Sequence, residues 1–143
     1  MNYREHAQGC VASVMVTICK THGPETRLAE IRRLLDDDHV HIALIVAADG
    51  QLLTTIERDD LSEAIPGSVP ACHLGTIASR VIGPHQSLEY AMAALKRGRR
   101  RRLAVIDNSG RLLGLLCLKR HGDGFCSDEG VRHRAAETES ATA

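Results

Sequence analysis

Along residues 23–56 the spacing of apolar positions changes period. Leu28, Ile31, Leu34 and Leu35 recur at helical spacing after a Gly-Pro turn; the run "IALIV" follows, is closed by Asp49-Gly50, and is answered at once by "LLTTI". This spacing predicts one amphipathic helix and then a β-hairpin. A helix returns to the same face every three or four residues, whereas short branched runs bounded by turn residues suit strands. The succession returns from residue 83, with Leu88, Ala91, Met92 and Leu95 at helical spacing, then "LAVI", a turn at Asn108 to Gly110, and "LLGLLCL".

A shift of 60 positions lays 23–56 on 83–116 without a gap, and Gly23, Pro24, Leu28, Leu35, Gly50, Leu52 and Leu53 meet identical residues. The chain therefore holds two copies of one unit. In the first copy "RDDLSEAI" predicts another short helix, stopped by Pro66-Gly67. In the second copy "KRHGDGFC" carries two glycines there, so that helix is expected to be weak or absent. The expected units are residues 10–66 and 74–126, followed by a polar tail, 127–143, whose composition predicts disorder. One helix on two or three strands buries its apolar face poorly, so the copies are expected to pack together with a ligand cleft between them.

Composition narrows the function classes. Lys plus Arg equals Asp plus Glu at 18 each, so no overall basic field draws the chain to polyanions, and aromatic residues are only 2%, leaving few rings for base stacking. Six basic residues within 96–102, "KRGRRRR", form a local patch that keeps nucleic-acid binding through Arg97 to Arg102 as an alternative. No window reaches the ~18 apolar residues of a membrane span, and the start "MNYREHAQGC" lacks the layout of a signal peptide; a cytoplasmic location without membrane contact is expected. The five cysteines form no CxxC pair and read as small buried thiols, with no metal site expected from Cys117 and His121 or from Cys72 and His73. No phosphate loop, zincin helix or Ser-centred elbow is present, and the cluster Glu57, Asp59, Asp60 reads as a solvated surface, so no enzyme and no resident cofactor are expected.

The order of apolar strand, Asp-Gly turn and "LLTTIERDDL", preceded by "VMVTICKTHGPETRL" and repeated in register, resembles the cystathionine-β-synthase (CBS) domain in tandem over about residues 10–126. The resemblance implies an α/β (α+β) fold of two β-α-β-β-α-like repeats with pseudo-two-fold symmetry. It also implies a homodimer and an adenosine-type ligand, namely AMP, ADP, ATP or S-adenosylmethionine, in a module that regulates an unidentified partner and does not catalyse. Carried over position by position, the hydroxyl and ribose-carboxylate positions fall on Glu57 and Asp60 in copy one and on Cys117 and Arg120 in copy two. Copy one keeps the ribose carboxylate, which accepts hydrogen bonds from adjacent hydroxyls, but Glu57 would repel a phosphate. Arg120 would suit a phosphate better than a sugar. Adenine would be gripped by Ile18, Thr21, His22, Ile42 and Ala43 in copy one, and by Val81, Ile82, Leu103 and Ala104 in copy two. Arg101 and Arg102, at the entry of the second copy's first strand, are candidates for a phosphate fork. A third reading is a structural or stress-related dimer with degenerate ligand sites.

Overall fold

The structure, a computed structural model, describes residues 9–122 and 124–126; the tail expected at 127–143 lies outside them. The helices are α1 (Val11–Val14), α2 (Leu28–Leu35) and α3 (Leu88–Gly98). The strands are β1 (Ala43–Val46), β2 (Leu52–Ile56), β3 (Val81–Ile82), β4 (Arg102–Ile106) and β5 (Leu112–Cys117). β1 and β2 form an antiparallel pair, with Ala43 opposite Ile56 and an irregularity between Ile45 and Val46, and β3, β4 and β5 form a sheet in that order. This is the mixed α/β architecture expected from the sequence.

Both long helices form where the 3.6-residue period places them. α2 buries Leu28, Ile31 and Leu35, and α3 buries Ala91 and Leu95. Ser87 caps α3 by accepting a hydrogen bond from the Tyr90 amide at 3.0 Å. The helix ends on Arg99, in the left-handed conformation at φ 53°, with the Arg100 amide donating to Leu95 O at 3.1 Å. The hairpin turns pass through Gly50 at φ 92° and its repeat equivalent Gly110 at φ 84°, where a side chain would be strained.

The helix predicted at 58–65 does not form. Arg58–Asp60 is a single 3-10 turn, and Leu61 is extended at ψ 136°. Its side chains are engaged elsewhere: Arg58 turns to the carbonyls of Leu35, Asp37 and Val40, and Ser62 Oγ accepts from the Ala64 amide, an alternative to helical bonding. Arg32 takes the carbonyls of Ser62 and Ile65. In copy two the described residues of 119–126 form no helix either. There the chain turns back after β5, with Leu118 bridging Phe125 in antiparallel sense.

Spatially the described chain divides into two units that do not follow the repeats: one holds 20–81 and 106–112, the other 9–19, 82–105 and 113–126. The core of the first is Ile31, Leu35, Ala43, Ile45, Ile56 and Ala71. That of the second includes Val11, Ala91, Leu95, Leu103, Val105 and Leu116, the same repeat positions in the other copy. The segments leading into the copies are exchanged. Ala71, which leads into copy two, donates its amide to Thr26 O of copy one at 2.8 Å, and Val11, which leads into copy one, donates to Gln86 O of copy two at 2.9 Å. Likewise Arg27 bridges Pro70 while Ser87 bridges Cys10. Neither copy's own helix and hairpin suffice to close its core, and the exchanged leader supplies the missing residue in each case.

Candidate functional site

The exchange decides what stands beside Asp60. Thr55, in the middle of the β2 end, is bridged on its free edge by Thr76: the Thr55 amide donates to Thr76 O at 3.3 Å, the Thr76 amide donates to Thr55 O at 3.1 Å, and Thr55 Oγ1 donates to Thr76 O at 2.5 Å. Thr54 Oγ1 donates to Leu74 O at 2.7 Å, so both buried threonines of β2 are spent on this returning segment. The close approach needs Gly75, at φ 71°, because a Cβ there would lie 2.0 Å from Thr55 O. Four residues after Thr76, past Ser79 in the left-handed region at φ 64°, the chain delivers Arg80 to the end of β2.

Arg80 is 8% exposed and both terminal nitrogens of its guanidinium are engaged. Nη1 donates to Asp60 Oδ2 at 2.6 Å and to Thr55 O at 3.2 Å; Nη2 donates to Asp60 Oδ1 at 3.1 Å and lies 3.2 Å from Glu57 Oε1. The two parallel bonds to Asp60 match the planar fork of guanidinium to that of a carboxylate. Asp60 Oδ2 also accepts the Glu57 amide at 2.8 Å. The hydrogen bond to Asp60, followed by the charges of Glu57, Asp60 and Asp59, raises the Arg80 pKa against the opposing effect of burial. Two carboxylates and one guanidinium leave this cluster with one net negative charge.

Of the residues expected around the first ligand, Glu57, Asp60, Thr21, His22, Ile42 and Ala43 lie in one unit, and Ile18, 39% exposed, lies in the other. His22 joins β1 as a parallel neighbour: its amide donates to Leu44 O at 2.9 Å, and its carbonyl accepts from the Val46 amide at 2.8 Å. Burial, then nearby Lys20, lowers the His22 pKa, with Glu30 opposing. Of the second set, Val81 falls in the same unit as Asp60, whereas Ile82, Leu103, Ala104, Cys117, Arg101, Arg102 and Arg120 fall in the other. Leu103, Ala104 and Cys117 are buried, Arg101 and Arg102 are half-buried where β4 starts, and Arg120 is exposed at a turn. Arg97 and Arg99 of the basic run are exposed.

Arg80 was not among the residues expected at a site. The signal for it lies in the repeat itself: extending the alignment upstream of the Gly-Pro turn sets Arg80 on Lys20, a basic residue in both copies. In copy two the positions equivalent to Glu57 and Asp60 are Cys117 and Arg120, so an ion cluster of this kind belongs to copy one alone. Among the described residues no three His, Cys, Asp or Glu side chains are grouped to hold a metal ion, and no helix is long and apolar enough to cross a membrane.

Comparison with known proteins agrees with this architecture. The family model described as "CBS domain" matches residues 77–120. Among solved structures, the chain is similar to the cystathionine β-synthase pair domain of a Shewanella oneidensis MR-1 protein, at 21% identity and a TM-score of 0.69, over 93% of this chain and 75% of that one. It is similar to CBSX2, solved in complex with AMP, at 20% identity and a TM-score of 0.64, over 91% and 98% of the two chains. The cytosolic domain of the Mg2+ channel MgtE, solved with ATP, matches at 15% identity and a TM-score of 0.61, over 77% of this chain and 46% of that one. No curated protein sequence matches the chain.

Proposed function

We propose that this chain, a CBS domain protein with the fold of a CBS pair, is a regulatory module that binds an adenosine-type ligand at the end of β2, with Asp60 as the ribose acceptor. The observation that carries the reading is the position of Asp60: a partly buried carboxylate, its side chain 19% exposed, held in a fixed orientation by Arg80 and the Glu57 amide. A carboxylate at this place offers acceptors to two adjacent hydroxyls. The AMP and ATP in similar structures are consistent with this ligand class. Arg80 is already bonded to Asp60, Glu57 and Thr55 O, so a ribose competes with it for the carboxylate, and Glu57 repels phosphate. Adenosine, S-adenosylmethionine and AMP are therefore expected to bind more tightly than ATP.

The same bidentate pair favours a second reading, in which Arg80 permanently fills the carboxylate and the fold is a ligand-free interaction module. Calorimetry with the four ligands separates the two. Under the first reading Asp60→Ala lowers affinity about tenfold or more, a loss of about 1.4 kcal/mol, and Arg80→Ala, which vacates the carboxylate, tightens adenosine binding. Absence of binding by the parent chain selects the second, whether or not Arg80→Ala binds.

The module is proposed to act as a cytoplasmic homodimer on a protein partner. The apolar face of α2 is buried within its own unit and 58–65 is not an apolar helix, so the dimer surface is sought elsewhere. Support comes instead from Leu53 and its repeat equivalent Leu113, which are 39% and 38% exposed. Light scattering at micromolar concentration checks this; a monomeric mass contradicts it.

A further inference from the structure

Cys117 closes β5, and Cys126 stands on the segment that turns back beside it. Leu118 and Phe125 bridge in antiparallel sense, and the Lys119 amide donates to Gly124 O at 2.8 Å. The next pair outward is Cys117 and Cys126, with the Cys126 amide donating to Cys117 O at 2.7 Å. Residues directly opposite in an antiparallel pair have Cα atoms about 4.5–5.5 Å apart, inside the about 4.4–6.8 Å range that a disulfide spans. The side chains also converge: the two Sγ atoms are 2.8 Å apart. A disulfide bond, about 2.04 Å long, needs only a sub-ångström approach and no change of register.

The surroundings suit the oxidised form. Cys117 is 5% and Cys126 9% exposed, and with Val16 at 2% they make a small apolar cluster of their own. A disulfide has no donor to satisfy there, and the described residues provide no third metal-ligating side chain that would make the pair a metal site.

We propose that Cys117 and Cys126 are a dithiol modification site that a low-molecular-weight disulfide, such as glutathione disulfide, oxidises to an intramolecular disulfide. The Cys126 thiolate, the more exposed of the two, attacks one sulfur of glutathione disulfide and expels a glutathione thiolate, leaving a mixed disulfide. The Cys117 thiolate then attacks the Cys126 sulfur and expels the second glutathione thiolate. Two protons leave the protein and are taken up by the two glutathione thiolates; the protein loses two electrons and glutathione disulfide gains them. The bond ties the end of β5 to the returning segment. It also converts the thiol that occupies copy two's equivalent of the Glu57 position into a group that cannot donate a hydrogen bond.

Peptide mapping of the folded full-length chain after incubation with glutathione disulfide, alkylation of remaining thiols and trypsin digestion tests the site. Cleavage after Lys119 and Arg120 separates the two cysteines, so the bond appears as peptides 112–119 and 121–132 joined together, about 2 Da lighter than their sum. The joined pair is expected in the parent chain and in a Cys10→Ser, Cys19→Ser, Cys72→Ser variant, and is expected to revert with dithiothreitol. Cys126→Ser is expected to lose it. The parent chain alone carries the answer should the triple variant fail to fold. Recovery of both cysteines alkylated, or of a lasting glutathione adduct on Cys126 without the joined pair, overturns the proposal.

Discussion

Arg80 is the residue on which the candidate site turns. Its guanidinium bridges two carboxylates that would otherwise repel each other after β2, offsetting one of their two charges, and it donates to a carbonyl already shared with Thr76. Removing it leaves Asp60 and Glu57 desolvated and mutually repelling. Arg80→Ala is expected to destabilise the fold by about 1–3 kcal/mol, less than a fully buried pair would cost, because the carboxylate side chains are about one-fifth exposed. Arg80→Lys should recover only part of this, since an ammonium cannot form the parallel bonds to Asp60. Urea denaturation of both variants checks the order. Asp60 was singled out through the family resemblance, carried over to the turn after the hairpin; Arg80 was not, because it comes from the leader of the other copy.

At the scale of elements, periodicity located α2, α3 and both hairpins, since each of these is stabilised mainly by its own apolar face or turn. The segment 58–65 shows where that reasoning stops. Its sequence could make two helical turns, yet Arg58 instead reaches back to the end of α2, donating from Nε to Leu35 O at 2.9 Å and from Nη2 to Asp37 O at 2.7 Å and Val40 O at 2.6 Å. Those carbonyls lie at and beyond the helix terminus, where intrahelical partners run out. Three charge-assisted bonds to one side chain outweigh the marginal stability of an isolated eight-residue helix. Arg58→Ala is expected to cost about 1–2 kcal/mol, read as a lowered urea midpoint with an unchanged slope. Faster amide exchange should follow in residues 35–40 while α3 stays protected.

At the scale of the whole molecule, stability should respond to pH through His22. Its folded pKa is lowered by burial and by Lys20, so between that value and the ordinary histidine value of about 6.5 the unfolded chain binds more protons than the folded one. Stability is therefore full above the unfolded value and is lost as pH falls through the window below it. The melting temperature is expected to drop from pH 7.5 to pH 5.5, and His22→Gln should reduce the drop. An equal drop in the variant would assign it to other groups.

The repeat, the helix and hairpin of each copy, and the family resemblance can all be read from the order of residues. All of these rest on local period and turn chemistry, which a chain carries wherever it folds. The resemblance also singled out Asp60, which lies on the turn after β2. That each copy's core is closed by the leader of the other, with Val11 and Ala71 in equivalent places, is a matter of long-range packing. So are the pairing of Arg80 with Asp60 and the meeting of Cys117 with Cys126. Cys117 and Cys126 are 9 residues apart in the chain, Asp60 and Arg80 20, and Val11 and Leu116 of one core 105, and no local pattern fixes which distant segment will supply the bond that a strand edge or a partly buried carboxylate requires.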